Sequence, residues 1–97
     1  MVIISKTKLV EFGERHPDAI ESLNEWWVKS KVADWSNSQD VKNTFNSVDS
    51  IGNDRYVFNI RKNKYRLVVM IHFQVRTVYV RFIGTHMAYD KIDCKTI

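Results

Sequence analysis

The chain has 97 residues, a net charge of +4 and 44% hydrophobic residues, enough for one domain with a single compact core. No apolar run approaches the roughly 18 residues of a membrane span, and the opening MVIISKTKLVEF lacks the apolar segment and cleavage site of a signal peptide, so a cytoplasmic protein is expected. One cysteine, Cys94, excludes an internal disulfide framework and, without partners at ligand spacing, a structural zinc site.

Met1 to Ile4 is a short β-branched run suited to a strand at the edge of a sheet. Ser5 or Thr7 then caps a helix in which Leu9, Phe12 and His16 recur at helical spacing, and which ends near Arg15 because Pro17 disfavours helical geometry in the residue before it. Pro17 opens a second helix, with Asp18 and Glu21 at the positive end of its dipole. Ile20, Leu23 and Trp27 form its apolar stripe, widened by Trp26. The acidic neighbours Glu21 and Glu25 favour core packing for the tryptophan pair over base stacking, and His16 is placed structurally at the helix junction. Residues 34–54 are polar and rich in turn formers, with one short helix from Gln39 to Phe45 capped by Ser38.

Residues 55–90 hold three runs of period-two alternation: Tyr56, Phe58 and Ile60; Tyr65, Leu67, Val69, Ile71 and Phe73; Val78, Val80 and Phe82. The links between them are short, which predicts an antiparallel meander. Loops at Lys62-Asn63 and Gln74-Val75 place Phe58 beside Leu67, Ile60 beside Tyr65, Ile71 beside Val78 and Val69 beside Val80. On the opposite face Asn59 then pairs with Arg66, Arg61 with Lys64, and Arg66 lies one diagonal step, roughly 7–8 Å, from Arg81. The third strand delivers Gly84-Thr85-His86-Met87-Ala88-Tyr89-Asp90 to the same end. After Asp90 the segment KIDCKTI is expected to form a last turn packing Ile92 and Ile97. The predicted architecture is α+β, an N-terminal strand and two helices packed on a small antiparallel β-sheet, in a single domain spanning 1–97.

Charge is divided along the chain. Residues 1–54 carry six Lys/Arg against nine Asp/Glu, a net of −3, whereas residues 55–97 carry nine against two, a net of +7. The sheet half therefore calls for an anionic partner, nucleic acid or an acidic protein. Neighbouring arginines on one sheet face repel unless an anion joins them, and arginine grips phosphate while histidine moves protons near neutrality. This combination points to a phosphate site with phosphodiester chemistry. No P-loop, Rossmann fingerprint, nucleophile elbow, HExxH or EF-hand pattern occurs. Asp90 and Asp93 lie near His86, but their basic surroundings oppose collecting a divalent cation. Neither metal nor other cofactor is expected.

The VFNI, NKYRLV, YVRFIGTH and YDKID segments between Tyr56 and Asp93, with HPDA at 16–19 and ADW at 33–35, resemble the HigB toxins of type II toxin-antitoxin systems, in the RelE/ParE superfamily. The resemblance implies a RelE-like fold and a metal-independent mRNA interferase that cleaves messenger RNA on the translating ribosome, arresting translation and growth. It also implies silencing by a HigA-type helix-turn-helix antitoxin, with operator DNA met only through that antitoxin. Carried over by motif, Asn63, Arg66, Arg81, His86 and Tyr89 form the site. His86 is assigned to proton transfer, Arg66 and Arg81 to the phosphate, Tyr89 to a base, and Arg61, Lys62 and Lys64, with Asn59 beside them, to flanking RNA. Many members have Gly-Gly where this chain has Arg61-Lys62. Two other readings stand beside this one: a non-enzymatic RNA- or ribosome-binding module, for which the basic face would suffice, and a ParE-like gyrase poison on the same fold. For regulation, the acidic helical half is expected to carry the antitoxin, leaving the catalytic patch partly open.

Overall fold

A computed structural model describes residues 1–97. The elements run β1 (Val2–Ile4), α1 (Lys6–Arg15), a 3-10 turn (Pro17–Ala19), α2 (Ile20–Val32), α3 (Ser38–Thr44), β2 (Asp49–Gly52), β3 (Arg55–Ile60), β4 (Tyr65–His72), a 3-10 turn (Phe73–Val75), β5 (Thr77–Thr85) and α4 (His86–Asp90). The fold is α+β. One five-stranded sheet has the order β1-β5-β4-β3-β2. The sheet is mixed, because β1 runs parallel to β5 while the other pairs are antiparallel. No helix is long and apolar enough to cross a membrane.

The inner face is the apolar one. Tyr56, Phe58, Ile60, Tyr65, Leu67, Val69, Ile71, Val78 and Val80 are buried together with Leu9 and Phe12 of α1 and Leu23 and Trp26 of α2. Each such large apolar side chain contributes about 1.5–3 kcal/mol on burial. Both hairpins have the register expected from their link lengths: Phe58 with Leu67, Ile60 with Tyr65, Ile71 with Val78 and Val69 with Val80. Asn59 pairs with Arg66.

Three expectations need correction. The 3-10 turn after Pro17 advances the chain at about three residues per turn, so α2 starts at Ile20 with a rotated phase. Ala19, Leu23, Trp26 and Ser30 consequently face the core, while Ile20 is exposed and Trp27 only half-buried. Second, the polar segment contains a strand, β2, that adds to the β3 edge through Asp49 opposite Val57. Third, β5 carries a bulge opposite Val68 and Val69, with Val80 paired to Val69 but Phe82 paired to Val68. One extra residue flips the face of everything that follows. Phe82 thereby joins the outer face, Ile83 lies opposite Leu67, and Gly84 lies opposite Arg66.

Arg81 is the residue left over in the bulge, so the expected diagonal to Arg66 is lost. It lines a shallow hollow with Lys8, Glu11 and Arg15 of α1 instead.

Candidate RNA-binding and cleavage site

The outer face is built in rows. Asp49, Val57, Val68 and Phe82 make one, and Asn59, Arg66 and Gly84 make the next, nearer the end of the sheet. Val57 and Val68 are buried although they lie outside the main core. The segment crossing this face is 86–97: α4 packs on β4 and β5, and Asn53 and Arg55 donate to the carbonyls of Lys95 and Ile97 at 2.7 Å and 2.6 Å. The last turn thus roofs part of the face and leaves the Asn59–Arg66–Gly84 row at its open border.

Gly84 leaves room for the Phe82 ring in that row. A Cβ there would meet Cζ of Phe82 at 2.5 Å, because the Phe82 ring lies over the glycine. A side chain at residue 84, opposite half-buried Arg66, would displace that ring. Arg66 is oriented by the preceding loop, donating from its guanidinium to the Asn63 carbonyl at 3.4 Å. One position past the next pair, Tyr65 with Thr85, the strand gives way to α4. The Thr85 hydroxyl accepts from the Ala88 N–H at 3.2 Å and caps that turn. His86, at the first helical position, is exposed.

Tyr89 comes from the same turn and is half-buried, with its hydroxyl 3.6 Å from Sγ of Cys94. The contact with Cys94, then burial, then the thiol's charge push the phenol up to about 12; Arg66 pulls it down and Asp49 pushes it up. Tyr89 is thus a neutral hydroxyl near neutrality, suited to hydrogen bonding and stacking. The turn that carries it, α4, packs against β4 and β5.

The hairpin loop is divided. Lys64 N–H donates to the Arg61 carbonyl at 3.2 Å, closing a turn in which Arg61 and Lys62 have φ of 49° and 58°. These are left-handed values that favour glycine. Asp18, from the turn between the helices, reaches across to this loop. Its carboxylate pairs with Lys64, lies 3.5 Å from the Arg61 Nε, and accepts from the Tyr65 hydroxyl at 2.7 Å. These contacts, Lys64 foremost, lower the Asp18 pKa. Tyr65 in turn lies against His16, which stacks on Phe12 with ring centroids 4.3 Å apart. His16 accordingly has the packing role expected of it.

Of the predicted site residues, the fold brings Asn59, Asn63, Arg66, His86 and Tyr89 to one border of the outer face. Lys62 is exposed at the loop tip, and Arg61 and Lys64 turn toward Asp18. Arg81 stands apart on the bulge. No ion pair engages Lys62, Arg66 or Arg81. No group of three His, Cys, Asp or Glu side chains is placed to hold a metal ion. Asp18, Phe82 and Gly84 were not singled out as site residues by sequence reasoning. The HPDA turn at 16–19 was the available signal for Asp18, whereas the role of Gly84 depends on the bulge.

Comparison with known proteins decides the family. A family model for HigB toxins, the RelE-like toxic component of a toxin-antitoxin system, matches residues 19–92. The chain belongs to the HigB toxin family. It is similar to the mRNA interferase HigB of Escherichia coli O6:H1, with 28% identity over 94 residues that cover 95% of this chain and 91% of the relative. It is also similar to the mRNA interferase toxin HigB of Escherichia coli K12, at 27% over 92 residues covering 93% and 88% respectively. The mRNA interferase HigB of Shigella flexneri matches at the same identity and coverage. Membership of a toxin-antitoxin family gives the chain an antitoxin as its partner. The order of elements, with a β-strand and three helices before the long hairpins, is compatible with a RelE-like fold.

Proposed function

We propose that this HigB-family toxin is a metal-independent mRNA endoribonuclease whose site is the border of the outer sheet face around Arg66 and His86. The carrying observation is the presence there of a half-buried arginine without a carboxylate partner, near the start of β4, and an exposed histidine immediately after the end of β5. The names of the relatives, mRNA interferases, supply the substrate class. In the reaction a base removes the 2′-OH proton and the oxygen attacks the adjacent phosphorus. Arg66 neutralises the crowded phosphorane, and an acid protonates the departing 5′-oxygen. The products are a 2′,3′-cyclic phosphate and a 5′-hydroxyl. His86 carries proton transfer, and Tyr89, neutral at working pH, orients or stacks on a base. Asn59, Lys62 and Asn63 contact flanking nucleotides. Arg81, the surplus residue of the bulge, is assigned in this reading to more distant backbone.

The positive charge needed at phosphorus comes from side chains, so cleavage of a ribosome-free RNA is expected to survive EDTA. In the cell the substrate is mRNA on the translating ribosome, and the antitoxin is a HigA-type helix-turn-helix protein that covers the helical layer. An apolar groove between α1 and α2, lined by Val10, Ile20 and Trp27, supports that placement. It lies on the layer opposite the outer face.

Replacement of His86 by alanine tests the reading. Transcript cleavage and growth arrest are expected to fall by about 10²–10⁴-fold in a normally folded protein. Growth arrest that persists without cleavage would make the chain a binding module instead.

A further inference from the structure

The loop between β3 and β4 is the most cationic stretch of the chain, RKNK, yet its charges are unequal in availability. Lys64 and Arg61 both turn to Asp18, and the Arg61 guanidinium also donates to the Asp18 backbone carbonyl at 3.3 Å. The Tyr65 hydroxyl holds the remaining carboxylate oxygen at 2.7 Å. Two cations and a phenol converging on one anion is the donor set that would otherwise receive a phosphate. The carboxylate is two-thirds shielded, with a side-chain exposure of 31%, and it comes from the helical layer 43 residues or more away in sequence. It is therefore a fixed feature of the tertiary fold and not a local turn contact.

We propose that Asp18 is an internal counter-ion that occupies the place of an RNA phosphate, withholding Arg61 and Lys64 from RNA and confining phosphate binding to the Arg66 side of the loop. This rests on the RNA reading above. Its physical consequence lies in ion release. Each cation that neutralises a phosphate of single-stranded RNA steepens log K against log salt by about 0.7, so two withheld cations amount to about 1.4 in slope. A carboxylate beside the same loop also repels the backbone directly. Asp18 acts through Arg61 and Lys64 and is a positioning residue, touching no reacting atom.

The Asp18→Asn variant keeps one oxygen, able to accept from Tyr65 or from Lys64, while removing the charge. Binding of a short single-stranded RNA, made uncleavable by 2′-O-methylation, is measured from low to moderate salt. The variant is expected to bind more tightly at low salt, with a slope steeper than wild type by up to about 1.4. Lys64→Gln is expected to leave the slope unchanged in the wild-type background, and to reduce it by about 0.7 in the Asp18→Asn background. A slope unaffected by Asp18→Asn, with only a lower melting temperature, would overturn the proposal and leave Asp18 a structural tie. So would an equal loss from Lys64→Gln in both backgrounds, a comparison whose wild-type arm does not depend on Asp18→Asn folding. Heparin, a sulfated polyanion, is run in parallel. If wild type fails to bind RNA but the heparin slope still steepens in Asp18→Asn, the RNA reading falls and the withholding of the two cations stands.

Discussion

Arg61 and Lys64 lie within a few residues of Arg66, yet the two sides of this hairpin end meet different surroundings. On the inner side, Asp18 supplies an anion, and the tyrosine-histidine-phenylalanine cluster of Tyr65, His16 and Phe12 fixes the approach of the helical layer. On the outer side, Arg66 has a backbone carbonyl and an amide row but no carboxylate in an ion pair. A net charge of +7 in residues 55–97 therefore overstates what a polyanion meets there. The inner cations tie the loop to the helical layer, whereas Arg66 and Lys62 make no ion pair. Surface ion pairs contribute little stability individually. The arrangement matters more for which charges remain free.

The largest effect that separates the two sides is catalytic. Replacing Arg66 by alanine is expected to lower the cleavage rate of bound RNA by about 10²–10³-fold, the usual cost of removing a group that stabilises a developing oxyanion. Single-turnover cleavage, compared with Arg61→Ala under identical conditions, measures it. Similar losses in both variants would erase the distinction.

A smaller effect tests the platform beside Arg66. In Gly84→Ala the new methyl meets the Phe82 ring at 2.5 Å, so the ring must shift toward its outer-face neighbours. Overpacking of this kind costs about 1–3 kcal/mol, read by denaturant unfolding, and the displaced ring is expected to slow cleavage as well. Unchanged stability and rate would show that Phe82 moves aside freely.

The smallest concerns pH. With its phenol raised from 10.0 to about 12, Tyr89 stays protonated throughout the neutral and mildly basic range. The stability this neutral form contributes is present below the ordinary tyrosine pKa and is lost as pH rises through about 12. The pH-rate profile from 6 to 9 is therefore expected to keep its shape in Tyr89→Phe. A limb that vanishes in the variant would make Tyr89 a titrating catalyst.

These contrasts were legible in the sequence only in part. Period-two runs joined by short links left little freedom, so the pairing of Asn59 with Arg66 and of Val69 with Val80 could be read directly. Val78, Val80 and Phe82 look like one continuous face, however, and an extra residue within such a run leaves the apolar-polar alternation intact. Only pairing with β4 reveals that Arg81 is surplus. The phase of α2 was hidden for a related reason: adjacent tryptophans fit either rotation, and the 3-10 turn at Pro17–Ala19 decides for Trp26. Asp18 reads locally as a helix-start acid, a sufficient explanation that conceals its contact with a loop far along the chain. The β2 sequence DSIG has no apolar alternation and pairs chiefly through its backbone. The Arg61-Lys62 pair, by contrast, was a visible departure from Gly-Gly, and both residues do adopt left-handed backbone angles.

The most direct measurement is an NMR titration of the isotopically labelled protein with an uncleavable, 2′-O-methylated single-stranded RNA, following backbone amides and arginine side chains together. Shifts are expected to concentrate on Asn59, Asn63, Arg66, His86 and Tyr89, with the Arg61 guanidinium and the Asp18 amide little changed until Asp18 is replaced by asparagine. Shifts centred on Asp18, Arg61 and Lys64 in the wild-type protein, with Arg66 and His86 silent, would contradict it.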